Sequence, residues 1–368
     1  MSARRREHLV RTLRRDGALT DPRWITAFLD VPRHVFLPRW FEPEGGKWRA
    51  VDDTEPGWLD EVYSDRVLVT QLDNDPESWE RAHQLGVVPG APTSSSSQPG
   101  IMAVMLEALQ VRDGDRTLEI GTGTGYNAAL LCHRLGDPLV STVDVDASIV
   151  AEARAKLDLA GYRPTCVAAD GADGLAERAP FDRVLATCSV ARIPPPWLAQ
   201  TTPGGLVVTT LNRPIGAGLV RVTAGEGATG TGRVLAQDGR FMPLRAQQWA
   251  DEAPADRTGV RRPTAISATE ALQVGRPFEF FAGLALSGVR PMTLRGHIVL
   301  LHPDGSFAVP GESTVFEGGP RKLWSLVEQA YEQWLDLDRP TRDRFGITVD
   351  GDDQYLWLDS PRGPRWPL

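Results

Sequence analysis

The feature that most constrains this chain is a short apolar strand that runs directly into a glycine turn. Thr117 to Ile120 reads as strand, and Gly121-Thr122-Gly123-Thr124-Gly125-Tyr126 follows it, before a helical stretch from Asn127 to Leu135. Glycine lets a backbone take positive φ and pass close to a ligand. The flanking segments continue the alternation. Ile101 to Leu109 and Ser148 to Ala160 read as helices. Leu139 to Val145, Thr165 to Ala169, Arg183 to Thr187 and Leu206 to Leu211 are short apolar runs. Strands alternating with helices of this length predict a doubly wound, Rossmann-like α/β fold, with a parallel sheet covered on both faces. Ligands in such sheets bind at the carboxyl ends of the strands, which is where the glycine turn falls.

The 368 residues are enough for this domain and a second, smaller one. Residues 1–98 read as a helical segment followed by a polar, irregular stretch that ends in the hydroxyl cluster Thr93 to Ser97. The α/β domain is expected over 99–246, closing with an antiparallel meander of Leu219 to Val222, Arg233 to Leu235 and Phe241 to Leu244. A polar linker is expected over 247–265. A small α+β unit over 266–368 would hold a hairpin at Pro303-Asp304-Gly305, a helix from Arg321 to about Leu337 and strands near Ile347 and Tyr355 to Leu358.

Charge and composition remove several classes of function. The net charge is -8, and no dense basic run follows Arg4-Arg5-Arg6, so no nucleic-acid partner is expected. Those arginines begin an amphipathic helix with Leu9, Val10 and Leu13, and they read as its solvated face. Three cysteines without a CxxC pair indicate neither a disulfide framework nor a zinc site, and no metal is expected. No apolar run approaches the roughly 18 residues a membrane span needs. The expectation is a cytoplasmic protein with reduced thiols.

The glycine turn alone does not separate a dinucleotide from another nucleoside cofactor. Tyr126 separates them, because the dinucleotide fingerprint requires a small residue at that point for close helix packing. Glu119, two residues before Gly121, is suited to a cationic amine. S-adenosylmethionine carries an ammonium and a sulfonium and has no pyrophosphate, so it fits better than a nicotinamide cofactor. Asp144, ending the second strand with Val145 beside it, is placed to accept from ribose hydroxyls. Asp170 and Gly171 end the third strand, where an acid can accept from an adenine amino group. The candidate cofactor set is therefore Glu119, Gly121, Thr122, Gly123, Gly125, Tyr126, Asp144, Val145, Asp170 and Gly171, with S-adenosyl-L-homocysteine as the product.

Beyond the turn, the stretch from Val31 to Leu244 resembles the protein-L-isoaspartate O-methyltransferase family. The matching pieces are Val-Pro-Arg-His-Val-Phe at 31–36, Tyr63-Ser64-Asp65, Ser97-Gln98-Pro99, the strand and turn at 118–126, Asp170-Gly171, Phe181-Asp182, Pro203-Gly204-Gly205 and Phe241-Met242-Pro243-Leu244. Ser-Gln-Pro about 20 residues before the turn is the specific one. The resemblance implies a class I methyltransferase fold, a peptide or protein substrate carrying Asp or isoAsp, and an active-site serine at Ser97. The chain departs from the family pattern in Asp144, where Glu is usual, in the hydroxylic residues before Ser97, and in more than 100 residues after Leu244. These departures resemble the members associated with ribosomally made peptide natural products such as lanthipeptides and graspetides. Those esterify an unmodified aspartate in a constrained peptide, leading to aspartimide or isoaspartate. The alternative within the family is general isoaspartyl repair with an accessory C-terminal domain. The expectation gives the C-terminal unit to peptide recognition and most of its aromatic residues to its own core.

Overall fold

A computed structural model describes residues 2–213, 215–245, 258–286, 288–294 and 297–368. Helices α1 (Ser2–Arg15), α2 (Pro22–Asp30) and α3 (Arg33–Phe36) open the chain. Leu9, Val10 and Leu13 are buried on α1, while Arg4 is exposed and Arg5 pairs with Asp60 at 2.6 Å; Arg6 is half-buried with its Nε buried, so only part of the basic cluster is a surface face. Asp21 caps α2 by accepting from the Arg23 N–H, with Pro22 at the first helical position, where its missing N–H costs nothing.

A four-stranded sheet takes up the end of the segment expected to be helical to residue 50 and parts of the irregular stretch expected after it. Strands β1 (Arg39–Glu44) and β2 (Lys47–Asp52) pair antiparallel; α4 (Trp58–Val62) leads to β3 (Leu68–Leu72), and α5 (Ser78–Leu85) to β4 (Pro92–Ser96). The order is β2-β1-β3-β4, which leaves the serine-rich β4 at an edge. The sequence concealed it because Pro92 to Ser96 has no apolar alternation. Its serines alternate by burial instead, Ser94 and Ser96 buried, Ser95 and Ser97 half-buried.

The central region follows the expected alternation. It runs α6 (Pro99–Leu109), β5 (Thr117–Ile120), α7 (Tyr126–Leu135), β6 (Val140–Asp144), α8 (Ala147–Ala160), β7 (Thr165–Ala168), β8 (Phe181–Val190), α9 (Pro195–Ala199) and β9 (Thr201–Asn212). Strands β7-β6-β5-β8-β9 are parallel neighbours in that order. The chain order reverses between β5 and β8, and a crevice opens at the carboxyl ends of strands at such a switch point. Antiparallel β10 (Ala217–Ala224) and β11 (Thr229–Val234) extend the sheet. The third strand expected at Phe241 to Leu244 does not join this meander. That segment crosses back to β8, where the Ser189 N–H donates to the Met242 carbonyl and the Leu244 N–H to the Ser189 carbonyl.

The C-terminal region departs from the expectation of a separate unit. Most of the linker expected over 247–265 lies outside the described residues, and its end is strand β12 (Gly259–Pro263). Then come α10 (Ala268–Leu272), α11 (Pro277–Ala285), β13 (Arg290–Leu294), β14 (His297–Leu301), β15 (Phe307–Pro310), β16 (Thr314–Gly318) and α12 (Leu323–Asp336). Strands β17 (Phe345–Asp350), β18 (Asp353–Leu358) and β19 (Arg365–Pro367) end the chain. Strands β12 to β16 make a sheet of their own, with the hairpin at 303–305 between β14 and β15. But β17 pairs antiparallel with β11, from Thr229 opposite Asp350 to Arg233 opposite Gly346, so the last three strands complete a ten-stranded central sheet. The physical reason is the open edge of β11, whose unpaired backbone groups another strand can satisfy.

The aromatic residues seal this junction. The Phe345 ring lies 5.2 Å from Phe280 and 5.5 Å from Trp366, and Phe278, Phe280, Phe281 and Trp324 are fully buried. Phe345→Ala should cost about 3–5 kcal/mol, the usual range for emptying a buried phenylalanine site. Because β17 belongs to the main sheet, denaturant unfolding should stay a single transition at lower midpoint. An early separate transition with the main one unmoved would contradict the shared core.

Candidate functional site

The turn after β5 is gripped from both sides. The Gly121 N–H donates to the Val143 carbonyl of β6 at 2.8 Å, and its own carbonyl accepts from Thr187 Oγ1 of β8 at 2.8 Å. Gly121 has φ +98, and a Cβ there would stand 2.7 Å from Thr187 Oγ1, so only glycine fits. Gly123 has φ +50, and a Cβ there would meet nothing nearer than the Ser95 carbonyl at 3.7 Å, so its side faces open space. A cavity of about 480 Å³ begins there.

Most of the residues singled out from the sequence meet in this one cavity, though not all by their side chains. Ser97, Glu119, Gly121, Thr122, Gly123, Asp144, Val145, Asp170 and Gly171 line it. Gly125 sits behind the turn, where Ala153 and Leu157 approach it. Tyr126 touches the cavity, but its ring is committed elsewhere: it packs on Phe36 at 5.8 Å and on Phe28, with the Arg33 guanidinium 5.8 Å from its centre. The large side chain after the turn thus anchors the N-terminal helices while Tyr126 also borders the cavity. Thr122 Oγ1 is likewise occupied by Thr142 Oγ1 at 2.7 Å.

Glu119 is fully buried, and both carboxylate oxygens have donors: Asn127 Nδ2 at 2.7 Å and Thr142 Oγ1 at 2.6 Å. Burial pushes its carboxyl up to about 7, against those two hydrogen bonds. Asp144 ends the neighbouring strand. One oxygen accepts from the Gly123 N–H at 3.1 Å and the other from the Asp146 N–H at 3.2 Å, while burial raises its pKa. Asp170 is exposed and accepts from the Ala172 N–H at 2.9 Å, a turn-capping bond, with its edge on the cavity.

Ser97 reaches the cavity from the end of β4. Its carbonyl accepts from Arg33 Nη2 at 3.1 Å, and its hydroxyl has no partner among the described residues. Ser96 is buried, and its hydroxyl accepts from Arg33 Nη2 at 3.3 Å. Arg33 is fully buried and also donates to the Val62 and Ser64 carbonyls, at 2.7 and 3.1 Å. It ties the segment at 62–64 to the backbone around the serine. Asp65 completes the frame by accepting from the Gly100 N–H at 2.6 Å and Gln98 Nε2 at 2.8 Å. Both belong to sequence motifs noted above, but their roles depend on chain segments about 30 residues apart or more. Sequence reading missed Thr187, Arg240 and Val274 as cavity residues, and it noted the motif at 241–244 without assigning Met242 to the site.

The raised Glu119 carboxyl has a consequence for stability. A folded-state pKa above the unfolded one means that stability is fully present below the unfolded value and lost as pH rises through the folded one. Between about pH 4.5 and 7 the ligand-free protein should therefore lose on the order of 3 kcal/mol through this group. Thermal melts of wild type and Glu119→Gln across this window should converge at low pH and separate at high pH, with the variant the more stable. Parallel curves would show that the group titrates normally.

The comparisons with known proteins agree with this geometry. The family model for protein-L-isoaspartate(D-aspartate) O-methyltransferase matches residues 75–245. A protein-L-isoaspartate O-methyltransferase of Thermococcus onnurineus is 32% identical over 203 residues, 55% of this chain and 75% of the relative. One of Koribacter versatilis is 31% identical over 246 residues, 66% of this chain and 91% of the relative. A solved structure named as a protein-L-isoaspartate O-methyltransferase superposes with TM-score 0.56 at 22% identity, covering 96% of this chain and all of that one, so its fold spans the C-terminal region too. The chain belongs to the protein-L-isoaspartate O-methyltransferase family, the carboxyl O-methyltransferases that depend on S-adenosylmethionine.

Proposed function

We propose that this protein methylates the side-chain carboxylate of an aspartyl-type residue held in a peptide, at the cavity between the β5 turn and Ser97. The observation that carries the reading is that one cavity holds both halves of the chemistry. Its glycine-lined end, with Asp144 and the exposed Val145, fits a nucleoside, and the unengaged Ser97 hydroxyl belongs to a residue lining the same space.

The donor set fits S-adenosylmethionine. Gly123 leaves room beside the backbone, Asp144 offers carboxylate oxygens for ribose, Val145 an apolar face for a base, and Asp170 an acceptor at the far edge. Glu119 contributes negative charge beneath the turn, with each of its oxygens already accepting one hydrogen bond within the protein. When bound, the cofactor supplies a methyl group made electrophilic by its sulfonium.

The protein's remaining task is placement. An aspartyl carboxylate is ionised at neutral pH, so the chemistry needs neither a base nor a triad. Ser97 would donate to one carboxylate oxygen and leave the other free to form the new C–O bond, as the C–S bond breaks and sulfur keeps the electron pair. Such positioning can supply about 7–11 kcal/mol. Arg33 holds the Ser97 carbonyl and so fixes where the hydroxyl stands.

Within this reading the acceptor is an isoaspartyl residue, as in the proteins whose names the relatives carry. The second reading, an unmodified aspartate in a constrained ribosomal peptide, is favoured by Asp144 in place of Glu and by the hydroxylic residues before Ser97. The C-terminal region does not discriminate, because a solved structure bearing the family's name has a matching one. Mass spectrometry separates the two. Isoaspartyl peptides should gain one methylene and return to normal aspartyl linkage through an imide. Turnover of a constrained aspartyl peptide alone, ending in net loss of one water, would select the second reading, and no methylation of either would refute the proposal.

Two variants divide the site. Asp144→Ala should weaken S-adenosylhomocysteine by about 1.5–3 kcal/mol, as expected for hydrogen bonds to a charged group, in titration calorimetry. Ser97→Ala should leave that affinity unchanged and lower turnover, with Ser95, on the same face of β4, as the residue able to compensate. Full activity in the double variant Ser95→Ala/Ser97→Ala would remove serine from the mechanism.

A further inference from the structure

The cavity has an outer wall that the cofactor does not account for. Among the described residues, two exposed branched side chains line the cavity besides Val145 of the nucleoside end (45% exposed): Val67 at 51% exposure and Val274 at 63%. Val145 follows the nucleoside-side Asp144. Val67 and Val274 come from distant parts of the chain, one just before β3 and the other in the turn between α10 and α11. Apolar side chains gathered in water at one cavity mark a surface that binds something.

The turn that carries Val274 is fixed. The Gly275 N–H donates to Glu279 Oε2 at 2.9 Å, and Arg240 Nη2 donates to Glu279 Oε1 at 2.6 Å. Glu279 is 1% exposed. One buried carboxylate therefore sets the Val274 turn and the cavity-lining Arg240 in a single frame. Asp238 extends the frame, pairing with Arg240 at 3.1 Å and with Arg342 at 2.8 Å. A side chain fixed in advance loses little freedom on contact, so its apolar surface contributes to binding with less entropic opposition.

We propose that Val67 and Val274 form an apolar cleft for a side chain adjacent to the carboxylate-bearing residue of the acceptor. The protein then selects peptides with a branched aliphatic or aromatic neighbour, and the C-terminal region supplies half of that selectivity, with Glu279 as its positioning residue. This rests on the carboxyl-acceptor reading above. It also assigns the C-terminal region a definite task, the placing of one turn at the cavity, while its large aromatics remain in the core.

The test uses the full chain and acceptor peptides that differ only in Leu or Ser beside the acceptor, on either side. Wild type should favour Leu by at least about fivefold in kcat/KM, the scale of a partly buried aliphatic side chain. Val274→Ser should reduce that preference to below about twofold, mainly through KM for the Leu peptide. Affinity for S-adenosylhomocysteine should stay at the wild-type value. Val274→Leu should keep the preference, and Glu279→Gln should lower it in the same direction as Val274→Ser. Equal turnover of both peptides by wild type, or a preference untouched by Val274→Ser, overturns the cleft and leaves the methylation reading standing. No turnover of any peptide overturns that reading and the cleft with it.

Discussion

The cofactor end of the cavity takes its shape from the way β6 and β8 grip the end of β5. The Gly121 N–H is bound by Val143 and its carbonyl by Thr187. These two bonds stop the strand and hold the following backbone across the switch point of the sheet. A side chain at Gly121 would push Thr187 away and loosen both. With the turn fixed, the Gly123 N–H meets Asp144, and the cofactor end of the cavity is defined by backbone instead of mobile side chains.

Two buried charges frame this turn in opposite ways. Glu119 lies beneath it as a carboxylate whose desolvation is only partly offset by Asn127 and Thr142. Such a group is poised to gain from a cation placed nearby. Arg33 lies behind Ser97, and its guanidinium is spent on carbonyls, with burial lowering its pKa to about 10. A buried cation without a carboxylate hydrogen-bonded to it is costly unless its donors are used. Here the two terminal nitrogens join the segment at 62–66 to the end of β4, while Nε has no partner among the described residues, and the acceptor side of the site inherits that rigidity.

The C-terminal region belongs to the same mechanical unit. Its last strands continue the central sheet through β11, and its helix α11 sends Glu279 to the cavity-lining Arg240. The parallel strands that hold the glycine turn gain in this chain an added wall on the outer side of the cavity.

Local signals in the chain were enough for the parallel core, the glycine turn and the acids beside it, because strand, turn and helix patterns there are short-range and strongly periodic. The family resemblance, and no local pattern, pointed to Ser97 and to the motif that contains Arg33. Local signals could not show that Pro92 to Ser96 is a strand, since a ladder of serines has no apolar period and is recognisable only from its partner β3. They could not show that the Tyr126 ring packs on Phe28 and Phe36, because what a large side chain packs against depends on distant helices. They divided the chain before residue 266, because pairing between β11 and β17 joins residues more than 100 apart and leaves no trace in either strand alone. That Glu279 faces Arg240 and Gly275, and so which residues stand at the outer wall, is a property of the folded chain, because such contacts depend on three-dimensional proximity and not on any spacing along the sequence.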